Sequence, residues 1–214
     1  MGVPTSVIIL SACVVISAAL AIWADAKERR RLFHVLKPLT MILIIATAIM
    51  AQIPVPSAYK MLILAGLLFS LAGDIALMFP EKWFTAGLVS FLVAHVCYIL
   101  AFKPGPGHSI SAGVFIPFII FGLLMFRILS PSLGPMKFPV LVYIAAITAM
   151  AGLAAARFVN EGGTRPLLAF AGAVLFLVSD SVLAYDRFAK KLRPAQAIIL
   201  GTYFPAQLLI ALSI

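Results

Sequence analysis

Charge is scarce in this chain. Asp and Glu number 7 in 214 residues, and charged residues of both signs make up 11%, against roughly 25% in a soluble domain. Such a chain cannot build a water-facing surface. With 64% hydrophobic residues and a mean hydropathy of +1.15, it reads as an integral membrane protein. Short alternating segments are missing too, which argues against a β-barrel; the long apolar runs point to helices. The two cysteines, Cys13 and Cys97, both sit in apolar runs, where buried thiols are expected rather than a disulfide. They and the few histidines have no spacing that would form a four-ligand zinc cluster. A positive leader is also absent: MGVPTSVIIL is uncharged at its side chains, and the basic KERRR follows the first apolar run. That order predicts a first span that stays, not a cleaved signal peptide.

What the chain has instead is apolar length. Crossing the bilayer core takes about 20 helical residues, and candidate spans run roughly over 5–24, 36–53, 58–78, 83–102, 110–129, 138–158, 165–185 and 195–213. The expected fold is all-α, a polytopic bundle of eight transmembrane helices forming a single transmembrane domain over 1–214. The breaks QIPVPS, FPEKW, KPGPG, SPSLGP, NEGGT and KKLRP are short, so sequential helices should be neighbours in an up-and-down bundle. Pro117 and Pro205 fall inside spans and should bend them.

The formal charge of +9 would suggest nucleic acid in a soluble protein. Here the basic residues crowd into short loops, so the expected partners are anionic membrane lipids and nucleic-acid binding is set aside. Lys27, Arg29, Arg30, Arg31, Lys37, Lys82, Arg127, Lys137, Arg187, Lys190, Lys191 and Arg193 lie at one end of the expected bundle; Lys60, Lys103, Arg157 and Arg165 lie at the other. This asymmetry predicts odd-to-even loops in the cytoplasm. In a bacterial inner membrane, both termini are then periplasmic. Trp23 and Trp83 read as interface anchors, and the frequent Gly, Ala and Ser within spans as close helix packing.

Two segments stand apart. GLLFSLAGDIAL (Gly66 to Leu77) and GAVLFLVSDSVL (Gly172 to Leu183) align at an offset of 106 residues, sharing a glycine, two leucines and one acid each, Asp74 and Asp180. A small residue, Gly73 or Ser179, precedes each acid. Their match hints at a duplication with both halves in one orientation. Carboxylates are costly in hydrocarbon, so two of them at equal depth suggest a shared cavity, with one serving as protonated acid and the other as base. A purely structural pair is the alternative. Lys37, expected to begin the second helix, could neutralise an acid or bind a lipid phosphate, or simply snorkel. Asp25 ends the first helix on the same side and either joins the site or balances Lys27. His95 shares a helical stripe with Gly87, Phe91 and Tyr98 and is either a site partner or a packed core histidine. Tyr143, Tyr203 and Gln207 could donate into a polar cavity or tie helices together. His34 and His108 fall in expected loops, as do Asn160, Glu161 and Arg165 on the far side.

Taken in order, KPL (Lys37 to Leu39), FSLAGD (Phe69 to Asp74), F-x-x-G-x-x-x-F-x-x-x-H-x-x-Y (Phe84 to Tyr98), FLVSD (Phe176 to Asp180) and the closing Tyr203 with Gln207 resemble the YhhN family, which includes the animal lysoplasmalogenases. The resemblance covers nearly the whole chain. It implies an eight-helix fold and hydrolysis of the vinyl ether bond of a lysophospholipid within the bilayer. The products would be a fatty aldehyde and glycerophosphoethanolamine or glycerophosphocholine. It also implies that Asp74 and Asp180 are catalytic; Lys37, Asp25, His95, Tyr98, Tyr143, Tyr203 and Gln207 stay candidates for binding substrate on the reading of the residues given above. The chemistry needs no metal or redox cofactor. The lysolipid is expected to enter sideways from the inner leaflet, its phosphate near Lys37 and its chain between helices.

Three rivals carry different signatures. A zinc-dependent hydrolase of another membrane lipid should use several histidines, and only His95 lies well inside a span. A proton-coupled transporter also suits paired carboxylates and proline-bent helices, but it would place its site near the midplane with access to both sides. A purely structural membrane protein would need neither acid.

Overall fold

The computed structural model describes residues 4–51, 55–105 and 111–214. Parts of the QIPVPS and KPGPG breaks, the end of the second expected span, the start of the fifth and His108 lie outside the described residues. Eight helices within the described chain are long and apolar enough to cross a membrane. They are built on α1 (Thr5–Ala26), α2 (Arg30–Met50), α3 (Ser57–Leu77), α4 (Pro80–Phe102), α5 (Ile116–Leu129), α6 (Lys137–Glu161), α7 (Thr164–Ala184) and α8 (Ala195–Leu212), α5 reaching the needed length only with the 3₁₀ turns that flank it, over Ala112–Ser132. The protein is an all-α polytopic membrane protein. Its outer face is apolar, as lipid contact requires: Ile9, Val15, Leu123 and Phe138 are between 58% and 74% exposed.

Neighbouring helices are joined tightly. The α1–α2 turn closes with Glu28 N–H donating to Asp25 O and Arg29 N–H to Ala24 O, both at 2.9 Å. Glu28 takes the left-handed conformation, φ 54°, that this type of helix stop requires. α2 then starts at Arg30, earlier than expected, so His34 is helical and Lys37 lies two turns in. The arginines of its first turn are good helix formers, and Pro38 removes only one backbone donor, a loss a membrane helix absorbs. Asn160, Glu161 and Arg165 are also helical, because α6 runs on to Glu161 and α7 starts at Thr164. Arg157 Nε pairs with Glu161 at 2.9 Å along that last turn.

The expectation that every helix packs on its chain neighbour fails at α5. α4 packs on α6, and α5 lies outside, leaning on α6. Of α5's residues, only Gly122 and Leu129 are buried. Pro117 does not bend this helix. A 3₁₀ turn over Ala112–Phe115 precedes it, so Pro117 occupies the first helical turn, where its missing N–H costs nothing. Pro205, by contrast, is inside α8 as expected. α8 is the innermost helix and touches α1, α2, α3 and α7.

Packing among the helices relies on small residues and a few hydrogen bonds, because burying apolar surface gains little inside lipid. Ser17 and Thr40 hydroxyls join α1 to α2 at 2.7 Å, and Tyr59 and Ser213 hydroxyls join the start of α3 to the end of α8 at 2.6 Å. The matched segments use their glycines alike. A Cβ on Gly66 would fall 2.3 Å from the Tyr98 ring of α4, and one on Gly172 would fall 2.8 Å from the Ala206 carbonyl of α8.

Backbone cannot yield as a side chain can, which makes Gly172 the sharper test. Gly172→Ala should cost about 1–3 kcal/mol through overpacking. Gly201→Ala, with nothing within 4 Å of its Cβ, should be neutral or gain up to about 1 kcal/mol from helix propensity. Unfolding of both variants in detergent reads the difference, and equal stabilities would contradict this packing.

Candidate active site

The alternation of helices brings the end of α3, the start of α4, the end of α7 and the starts of α2, α6 and α8 to one end of the bundle. Asp74 lies three residues before the last residue of α3, so it sits less than one turn, about 4.5 Å, inside that end. Asp180 lies four residues, about 6 Å, before the last residue of α7. The small residue before each acid lets a neighbouring helix close in. Gly73 faces the Phe91 ring of α4, 2.6 Å from where a Cβ would be. Ser179 Oγ donates to the Ile199 carbonyl of α8 at 3.2 Å.

Both acids line one cavity of about 180 Å³, together with Lys37, Tyr203, Ser179 and Gln196. That volume is well above the roughly 10–15 Å³ a single water needs. Arg187 and Lys191 stand at the same cavity. Its apolar wall is Leu77, Phe84, Phe91, Leu183, Ile199 and Leu200.

The two carboxylates have different partners. Lys37 Nζ pairs with Asp74 Oδ1 at 3.1 Å, and Tyr203 Oη donates to Asp74 Oδ2 at 2.6 Å. Asp74 is 2% exposed and Lys37 6%, so each is the other's compensation for leaving water. Asp180 Oδ2 accepts a short hydrogen bond from Tyr143 Oη. No lysine or arginine among the described residues lies within 4 Å of Asp180. His95 Nε2 is 3.7 Å from Asp180 Oδ2, outside hydrogen-bonding reach. The His95 ring is fully buried between Tyr143 and Phe176, at centroid distances of 5.0 and 4.8 Å. The site thus holds one ion-paired carboxylate and one carboxyl group bonded only to a phenol, on a cavity with room for several waters. That arrangement suits a base and an acid acting on one substrate.

The other residues singled out from the sequence fall into two groups. Tyr143 and Tyr203 touch the acids directly. Tyr98 and Gln207 lie deeper and do not line the cavity; Tyr98 Oη donates to Gln207 Oε1 at 2.8 Å, and both are fully buried. Asp25 is half-buried at the end of α1, where it interacts with the Lys37 charge without reaching the cavity wall. Lys37 is therefore flanked by two acids.

Sequence reasoning missed the contribution of the segment after Asp180. α7 continues into one wide π turn over Tyr185–Ala189, a feature common at functional sites. Asp186 Oδ1 accepts from Leu192 N–H at 2.8 Å and its Oδ2 from Lys191 Nζ at 2.7 Å, folding the loop towards α8. Arg187 lies over the Phe84 ring, 4.6 Å from its centroid. Arg187 and Lys191 figured only in the orientation argument, and Asp186 in none; nothing local marked them as cavity residues. Among the described residues, no three His, Cys, Asp or Glu side chains come together as a metal site.

Residues 32–214 match the YhhN family. The lysoplasmalogenase TMEM86A of Bos taurus is 36% identical over 163 residues, which are 74% of this chain and 66% of the bovine protein. The lysoplasmalogenase TMEM86B of Homo sapiens is 36% identical over 165 residues, 72% of this chain and 64% of that protein. The chain thus spans just under two thirds of the length of these mammalian relatives. An Escherichia coli membrane protein called YhhN, uncharacterised by name, is 28% identical over 203 residues, 93% of this chain and 97% of its own length. No solved structure matches the chain.

The ion pair can be tested apart from any activity. Lys37→Met leaves Asp74 buried without its cation and should cost about 3–5 kcal/mol. The double variant Lys37→Met with Asp74→Leu should recover most of that loss. Denaturation in detergent measures all three proteins; a double variant no more stable than the single one would mean that the two groups are uncoupled.

Proposed function

The chain belongs to the YhhN family, and from that premise we propose that it is a lysoplasmalogenase-like hydrolase. It cleaves the vinyl ether bond of a single-chain phospholipid to a fatty aldehyde and a glycerophosphodiester, glycerophosphoethanolamine or glycerophosphocholine. The observation that carries the reading is the unlike pairing of two acids on one cavity, Asp74 with Lys37 and Asp180 with Tyr143.

The chemistry follows from the substrate. A vinyl ether is electron-rich at the carbon β to oxygen, so hydrolysis begins with proton transfer to that carbon. Asp180 is the donor, because no lysine or arginine among the described residues lies within 4 Å to hold it ionised. The resulting oxocarbenium ion is stabilised by the Asp74 carboxylate, whose charge Lys37 and Tyr203 fix in place. A water in the cavity adds to the cation and gives its proton to Asp74. In the hemiacetal collapse, Asp74 returns that proton to the leaving glycerol oxygen while the hemiacetal hydroxyl passes its own to Asp180. Both acids end as they began.

Lys37, Arg187 and Lys191 supply positive charge where the lipid phosphate would lie. On this reading the basic end faces the cytoplasm, and the substrate comes from the inner leaflet of a bacterial inner membrane. Beneath the acids, Tyr98, Phe176 and Phe204 are at most 1% exposed. That filled layer favours a site open at one end over the two-sided access that a proton-coupled carrier needs.

Asp74→Asn and Asp180→Asn should each abolish aldehyde release from lysoplasmalogen while the protein remains folded and inserted. Aldehyde production at the wild-type rate by either variant would remove that acid from the mechanism. In heavy water, the released aldehyde should carry one deuterium on the carbon next to the carbonyl, read by mass spectrometry against preformed aldehyde incubated with the protein. Unlabelled aldehyde would mean that the bond breaks without protonation of carbon.

A further inference from the structure

A second cavity meets the first at Asp180. It is a crevice of about 50 Å³ between α4, α5, α6 and α7, and its walls are almost wholly apolar. Leu88, Met125, Val140, Ile147 and Phe188 line it and not the first cavity, whereas Leu77, Phe84, Phe91, Asp180 and Leu183 form walls of both spaces. Tyr143, its one phenol, is committed to Asp180. The junction therefore sets an acid between a charged chamber roomy enough for several waters and an apolar slot.

We propose that this slot holds the first few carbons of a single alkyl chain beside its reactive bond, and that the rest of the chain runs out past α5 into the lipid. The inference rests on the hydrolase reading above and adds the rule by which chains are selected. The slot is small. At about 10–15 Å³ for each water-sized unit it has room for only a few chain carbons, whereas a membrane lipid chain spans about half of a 30 Å core. Its outer wall is Met125, on the peripheral helix, one residue from Leu124, which is 55% exposed, and three from Ile128, which is 51% exposed. A chain leaving there meets an apolar surface at once. Selection is therefore local: bulk near the vinyl ether is rejected, and length beyond the slot goes unread.

The test uses a saturated alkyl-ether lysophospholipid, which the enzyme cannot hydrolyse, with a photoreactive diazirine on the third chain carbon. In membranes holding the purified protein, it should label Met125, Ile144 or Phe188. Excess unmodified alkyl-ether lysophospholipid and the variant Met125→Trp should each lower that labelling by roughly tenfold. With vinyl ether substrates, kcat/KM of the wild type should be nearly flat from medium to long chains and fall by roughly tenfold when a methyl branch is placed next to the double bond. Labelling confined to lipid-facing side chains and not competed by the unmodified lipid would overturn the proposal. So would kcat/KM that climbs steeply with chain length. Competed labelling in the slot without any aldehyde release would support the chain site while refuting the reaction assigned above. Aldehyde release with labelling elsewhere would do the reverse.

Discussion

The pairing of Lys37 with Asp74 is the constraint around which the open end of the bundle is arranged. Each group alone would be expensive at that depth, and together they hold α2 against α3 through opposite charges at 3.1 Å. Tyr203 from α8 completes the set by donating to the same carboxylate. Three helices thus converge on one side chain, and α8, the innermost of all, is tied to the site by its middle. The second acid lacks such an arrangement and is bonded by a phenol from α6 alone. Two chemically identical residues in matched segments therefore acquire unlike surroundings from the helices that happen to face them.

The spaces around the acids divide along the same line. Asp74 looks only into the charged chamber, while Asp180 looks into both the chamber and the apolar slot. Phe91 shares the partition with Leu77, Phe84 and Leu183. It stands edge-on to Phe176 and Tyr203, at centroid distances of 6.0 and 5.8 Å, and lines both cavities. An amphiphile has the same two-part character, which supports the proposal of a lipid substrate.

Much of this was legible in the sequence, for physical reasons. Apolar length set the number of spans, and intramembrane charge singled out Asp74, Asp180 and Lys37. What escaped was what periodicity does not encode. Because every face of α5 is apolar, nothing in its pattern told a peripheral helix from a central one. Pro117 read as a bend because the 3₁₀ turn before it could not be distinguished from helix. The helical stripe through His95 was real, yet it put Tyr98 a layer below the acids, since a stripe fixes a face and not a depth. Arg187 and Lys191 passed as ordinary loop charges because their approach to the cavity depends on the π turn, a local widening with no clear residue signature.

The glycine contacts have one more consequence. Gly66 lies against a Tyr98 ring and Gly172 against the Ala206 carbonyl, so α3 is keyed to α4 and α7 to α8 well away from the acids. Sliding either pair by one residue, about 1.5 Å, would drive a side chain into those notches. The height of each acid against its neighbouring helix is thus set by a mechanical stop two turns away from it, and it holds whatever the state of ionisation.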